Sequence, residues 1–176
     1  MQPQATACGC IESSSLVRPT LLAMAPPPTI ELARTPTPLE HMPHLTKAWG
    51  GPQLWVKRDD LTGFELSGNK VRKLEFHLAA ALHAGADTII TTGAIQSNHC
   101  RATAMAACRL GLECRLVLRT IDGAPPTHPA GNHLIHRASG AAITYVDPAR
   151  YRRNNQIMAV LAEAEAAAGR VPWIIP

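Results

Sequence analysis

The apolar and polar positions of this chain fall into short β-type runs separated by stretches with helical spacing. From Val71 the apolar residues sit at Val71, Leu74, Leu78 and Leu82, one face of a helix that is predicted to run from Lys70 to near Gly85. Thr88–Thr92 (T-I-I-T-T) is a β-branched run with the composition of a buried parallel strand, and Gly93 marks the turn after it. A second helix is predicted from Ser97 to Leu110, with Gly111 as its C-terminal cap. Cys114–Leu118 then reads as a strand, Thr120–Pro129 as a proline-bearing loop, and Asn132–Ala138 as a helix stopped by Gly140. Ala142–Val146 is a strand, Arg150–Ala168 an alanine-rich helix ended by Gly169, and Val171–Ile175 a further strand. Upstream, Arg34–Leu39 is a proline-stiffened extended segment and Leu54–Lys57 a short strand.

Strands joined by helix-length crossovers pair in parallel, so the predicted architecture is α/β with a doubly wound parallel sheet. Ligand sites in such sheets lie beyond the carboxyl ends of the strands. The chain reaches Pro176 directly after an apolar strand with no helix following, so we expect it to be the N-terminal half of a longer protein.

Composition narrows the choices. Hydrophobic residues make up 46% of the 176 and charged residues 17%, an ordinary globular balance. Aromatic residues are only 4%, too few for a base-stacking platform. The net charge of +4 is scattered, and no nucleic-acid or membrane partner is expected. Five cysteines, an odd number in a chain of this size, do not form a secreted disulfide framework. Cys8 and Cys10 lack a second ligand pair at zinc spacing, so no metal is expected. Reduced thiols point to an intracellular compartment, cytoplasmic or organellar. Residues 1–29 read as a disordered leader, with Ser13–Ser15 and Pro26–Pro28. Their scarcity of acidic residues also admits an organellar transit segment, although arginine is sparse for one. Met24 is an alternative start.

The candidate chemistry centres on Ser67-Gly68-Asn69-Lys70-Val71-Arg72-Lys73-Leu74-Glu75. Gly68 suits a sharp entry into the helix, and Asn69 is of the type that caps free N–H groups. Lys70 and Lys73 are three apart and share a face near a helix end that already carries positive partial charge. A bound anion, a phosphate above all, would relieve that arrangement. Three readings compete. A phosphate-binding P-loop has its two glycines in Gly63 and Gly68, but Asn69 displaces the lysine by one residue, about 100° around the helix, and Val71 stands where Ser or Thr is needed. A nucleophile elbow at Ser97 would need glycines where Ile95 and His99 stand. Pyridoxal phosphate chemistry needs a lysine amine, helix N-termini and cations, and the polar turn Gln96-Ser97-Asn98-His99 after the T-I-I-T-T strand supplies a second helix start.

Lys57-Arg58-Asp59-Asp60-Leu61, the Ser67–Glu75 stretch and Gly93-Ala94-Ile95-Gln96-Ser97-Asn98-His99, in that order, resemble the D-cysteine desulfhydrase and 1-aminocyclopropane-1-carboxylate (ACC) deaminase family. These are fold-type-II pyridoxal-phosphate enzymes, similar in fold to the tryptophan synthase β subunit. The resemblance runs from about Pro36 to Pro176. It implies that Lys70 is the Schiff-base lysine, that Ser97 handles protons or attacks substrate, and that Asn98 lies beside the cofactor ring hydroxyl. It further implies that Ser97, Asn98 and His99 receive the substrate carboxylate, and that Asn69 and Lys73 lie at the cofactor, Lys73 near its phosphate. His99 resembles the desulfhydrase branch, where the deaminase branch carries Gln. Ser67 departs from the glycine common in the family.

The implied reaction converts D-cysteine to pyruvate, sulfide and ammonia. The alternatives are an ACC deaminase, giving 2-oxobutyrate and ammonia, and a non-catalytic module derived from the family. Family members run about twice as far, so the expected organisation is a leader (1–29), the first part of a large domain (30–70) and a small α/β domain (71–176). The missing half would complete the phosphate cup, and this piece is expected to be inactive alone. The resemblance also implies a homodimer for the full-length form. Cys100, Cys108 and Met105 on the second helix read as core residues, and Asp59 and Asp60 as a turn with Arg58 rather than a catalytic pair.

Overall fold

The computed structural model describes residues 27–65 and 68–176. Most of the leader, Cys8, Cys10, Met24 and Ser67 lie outside the described residues.

Two sheets are present. The smaller is an antiparallel pair, β1 (Leu39–His41) with β2 (Trp55–Lys57), linked by helix α1 (Pro43–Trp49). The extended proline segment therefore leads into a strand, and the intervening helix starts on a proline, which suits a first helical position. A single 3-10 turn, Asp59–Leu61, leads from β2 toward the central motif.

The larger sheet carries the rest. Along the chain come α2 (Lys70–His83), β3 (Thr88–Ala94), α3 (Asn98–Leu110), β4 (Glu113–Arg119), α4 (Asn132–Ala138), β5 (Ala142–Val146), α5 (Pro148–Tyr151), α6 (Asn154–Ala167) and β6 (Pro172–Ile175). All pairings are parallel, and the strand order is β5-β4-β3-β6. The sheet grows one way from β3 through β4 to β5, then returns to place β6 on the other side of β3. This reversal at β3 makes a doubly wound sheet, with its switch point at the carboxyl ends of β3 and β6.

Alternation along the strands divides the core. Ile89, Leu116, Leu118 and Ile175 pack with Val71, Leu74 and Leu78 of α2 and with the small residues of α3. Ile90, Val117 and Val146 face Met158 of α6 on the opposite side. Leu74 and Leu78 are fully buried, each contributing about 2 kcal/mol by area removed from water. Leu32 and Phe64, from before α2, join the same core as α2 and α3. Glu75 of α2 holds that upstream segment, its Oε1 accepting from the N–H groups of Leu32 (3.0 Å) and Ala33 (2.9 Å).

Four expectations change. Gly93 lies within β3, which extends to Ala94. A Cβ there would sit 2.6 Å from Cys100 Sγ and 2.7 Å from Ser97 Oγ, so the glycine serves close approach rather than a turn. The alanine-rich helix is two helices: Asp147 caps the four-residue α5 through Arg150 N–H (2.8 Å), and the chain turns at Arg152 and Arg153 before α6 starts. Leu82 is exposed, because the buried face drifts to Ala79 and Ala81 as α2 proceeds. Cys108 is also exposed, while Cys100 and Cys114 are buried as free thiols.

Candidate functional site

Two helix starts face the switch point, and local chemistry explains each. The entry to α2 turns at Gly68, whose φ of +121° favours glycine. The buried Thr62 hydroxyl accepts from Gly68 N–H and donates to its carbonyl, both at 3.2 Å, and Asp59 C=O accepts from the same N–H at 3.0 Å. Arg72 grips Asp59 through Nε (2.8 Å) and Nη2 (2.7 Å), while Arg58 pairs with Asp60 and Glu40. The two aspartates are thus separately paired with arginines. Arg72, then Thr37, holds the Asp59 carboxyl below its usual range. Asn69 does not cap α2: it is already in the right-handed helical region and its side chain makes no capping bond, which leaves the amide exposed beside Lys70.

The entry to α3 is capped instead by Ser97, whose Oγ accepts from Cys100 N–H at 3.2 Å from an extended backbone. The first-turn N–H groups of Asn98 and His99 have no intrahelical acceptor, a ready anion site. Burial pushes the Cys100 thiol up to about 11, against a smaller opposing pull from Ser97, so it stays neutral at pH 7.

His99 sits between the two helix starts. Thr91 Oγ1 donates to Ile175 C=O at 2.8 Å and lies 3.1 Å from His99 Nε2. Its single proton is committed to that carbonyl, so His99 Nε2 carries the hydrogen and donates to Thr91. Nδ1 is left as a buried acceptor without a partner. Burial first, then the charges of Lys73, Lys70 and His77, lower the ring to about 4. His99 is therefore neutral at pH 7, so its first-turn N–H, not its ring, suits a carboxylate. Lys73 is itself lowered, by partial burial and by Lys70, and His77 by burial and by Lys73. Lys70, Lys73 and His77 thus line the side of α2 toward His99. Gly68 also reaches the α3 side, where an ideal Cβ would lie 3.8 Å from Arg101 Nη2.

One set of residues escaped sequence reasoning. Asn132, at the start of α4, donates from Nδ2 to Gln96 C=O (2.8 Å) and to Asn98 Oδ1 (2.8 Å). Its backbone N–H donates to Gln96 Oε1 (2.8 Å), and Gln96 Nε2 donates to Ala130 C=O (3.0 Å). Arg101 Nη1 donates to Asn98 Oδ1 and Asn132 Oδ1, each at 3.2 Å. Beneath the turn, His136 is fully buried. Burial lowers it to about 4 against an opposing pull from the Ser97 backbone, with His133 and Arg101 adding smaller contributions downward. Neither ring nitrogen makes a hydrogen bond of regular geometry. The sequence signal for Asn132 was only a polar residue opening a short helix. Beyond the ends of β3 and β4 an open cavity of about 650 Å³ is lined by Ile95, Arg119, Ile121, Asp122 and Thr127.

Among the described residues no helix is long and apolar enough to cross a membrane. Nor does any group of three or more His, Cys, Asp or Glu among them offer a metal site.

A doubly wound α/β unit with a cation-lined switch point and two helix starts aimed at it belongs to the anion- and cofactor-binding class of such folds. Residues 30–173 match the family described as "Pyridoxal-phosphate dependent enzyme". The chain is 44% identical over 155 residues to the "Bifunctional D-cysteine desulfhydrase/1-aminocyclopropane-1-carboxylate deaminase, mitochondrial" of Arabidopsis thaliana, covering 86% of this chain and 38% of that protein. It is 42% identical over 151 residues to the D-cysteine desulfhydrase of Salmonella paratyphi B, covering 85% of this chain and 45% of that protein. A solved structure of an ACC deaminase homologue superposes with a TM-score of 0.77 at 37% identity, over 85% of this chain and 44% of that one. The chain belongs to the pyridoxal-phosphate-dependent enzyme family, and it spans less than half the length of these relatives.

The residues present fit the cofactor. A primary amine opens α2, a second ammonium lies one turn on, and a buried acceptor at His99 Nδ1 lacks a partner between the two helix starts.

Proposed function

We propose that this chain supplies one wall of the active site of a lyase of the D-cysteine desulfhydrase type, acting on a small amino acid. The carrying observation is the convergence of the α2 and α3 starts on His99, read in the electrostatic reach of Lys70 and Lys73 to that ring. Lys70 is the amine that would hold the cofactor aldehyde, and Lys73 would stand by its phosphate with the exposed Asn69 beside it. Asn98 Nδ2 would donate to the cofactor ring oxygen. The first-turn N–H groups of Asn98 and His99, with the Ser97 hydroxyl beside them, would hold the substrate carboxylate. When bound, pyridoxal phosphate supplies an electron sink for the pair left when a proton departs Cα.

Against that sink this chain's groups move protons. Lys70 Nζ, at the start of α2, would take the proton from Cα. The Ser97 hydroxyl, held in place at the helix cap, would pass a proton to or from substrate. The net change is D-cysteine plus water to pyruvate, ammonia and hydrogen sulfide. The second reading, ACC plus water to 2-oxobutyrate and ammonia, is favoured by the likeness to the ACC deaminase homologue. The boundary between a large-domain portion (30–70) and a small domain (71–176), an intracellular location and a homodimer belong to the same proposal.

The test is a pyridoxal phosphate titration followed by visible absorbance, on a protein carrying this chain, with Lys70→Ala alongside. We expect a saturable band that Lys70→Ala abolishes; a band that survives the substitution, or no band, overturns the reading. Sulfide release from D-cysteine, set against 2-oxobutyrate from ACC, chooses between the two substrates.

A further inference from the structure

We propose that Asn132, acting with Arg101, is a positioning residue that locks the Asn98 amide with its oxygen toward α4, so that the site always presents the Asn98 NH2 as a donor to the cofactor ring oxygen. The inference rests on the cofactor reading above and adds the device that sets the polarity of one contact.

The hydrogen-bond inventory allows only one arrangement. A guanidinium donates and never accepts, so the atoms of Asn98 and Asn132 that face Arg101 Nη1 at 3.2 Å are both amide oxygens. With its oxygen so placed, Asn132 turns Nδ2 toward Gln96 C=O and Asn98 Oδ1, each 2.8 Å away. Asn98 Oδ1 therefore accepts two hydrogen bonds, and its Nδ2 points away from α4. Flipping Asn98 would set its NH2 against Arg101 and Asn132 Nδ2, replacing two attractions with two donor–donor contacts. An amide in water has no such preference. Asn132 is itself fixed, because its N–H is bound to Gln96 Oε1 at 2.8 Å. The loop before it is pressed against the same side chain: a Cβ at Gly131 would lie 2.7 Å from Gln96 Oε1. A donor facing the ring oxygen favours its deprotonated form.

The test compares the pyridoxal-phosphate-loaded protein with Asn132→Asp and Asn132→Ala. An aspartate puts a carboxylate oxygen where Nδ2 stood, 2.8 Å from Asn98 Oδ1, and drives the amide to flip. We expect the pH titration of the bound cofactor's visible band to move up by about one unit, and cofactor affinity to fall about tenfold, in Asn132→Asp. Asn132→Ala, which keeps the Arg101 bond, should give a smaller shift in the same direction, and it serves if the aspartate variant does not fold. A merely structural role would lower stability without moving the titration. A wild-type band with unchanged titration in both variants overturns the inference while leaving the Lys70 reading intact. A wild type with no band removes that reading and this one with it.

Discussion

Lowering the pH should loosen the scaffold beneath the Ser97 turn, and His136 lets the size of the effect be worked out. Burial holds its ring at about 4, against an ordinary value of 6.5. A group with a depressed folded value binds fewer protons folded than unfolded throughout that interval. For a histidine this means stability is full above the unfolded value and is lost as pH falls toward the folded one. Between pH 7 and pH 5 the linkage removes about 2 kcal/mol for this one residue, and about 3 kcal/mol once the folded value is passed. His136→Gln keeps a polar side chain of similar reach but cannot gain the proton. Urea denaturation followed by far-ultraviolet circular dichroism, at about pH 7 and about pH 5, gives the stability of both proteins. The variant starts lower at pH 7, since the site is fully buried, and the gap should close by about 2 kcal/mol at pH 5. A gap of equal size at both pH values would refute the argument, because the acid loss would then arise elsewhere. His99, lowered to about 4 but only half-buried, contributes a smaller share of the wild-type loss.

Two further substitutions test the packing. Leu78→Ala removes a fully buried side chain from the α2 face and should cost about 2–5 kcal/mol, read as a lower urea midpoint; a loss under about 1 kcal/mol would mean that the α2 face is not core. Gly93→Ala forces Cys100 Sγ or Ser97 Oγ aside, should cost about 1–3 kcal/mol, and should weaken pyridoxal phosphate saturation as the α3 start moves.

How legible the chain was depended on how far each determinant lay along it. Asn132–Ala138 and Ala142–Val146 match their predicted bounds, because a glycine or a β-branched run marks each edge locally. The Arg150–Ala168 reading failed because alanine carries almost no periodic signal, which left nothing to reveal the turn at Arg152 and Arg153. Gly93 was misread for a different reason. A glycine wanted for room looks the same in sequence as one wanted for a turn, and the room is demanded by side chains four and seven residues on. β1 is three residues long, too short for alternation to show, whereas β2 lies inside the strand read over Leu54–Lys57. At the site, the lysines and the Ser97 turn announced themselves by local pattern. The grip of Asn132 on Gln96 and Asn98 spans more than thirty residues and left no trace in the local pattern.

The hydroxyl that orients His99 answers to a carbonyl 84 residues further along. Closing a loop of that length costs about 4 kcal/mol in chain entropy before any contact compensates. During synthesis β3, α3 and β4 can assemble on the ribosome while Thr91 still has no strand on its other side. The tautomer of His99 is therefore settled only when β6 docks. Nascent chains halted between β5 and β6 should carry a histidine free to flip, next to lysines that already have their helix.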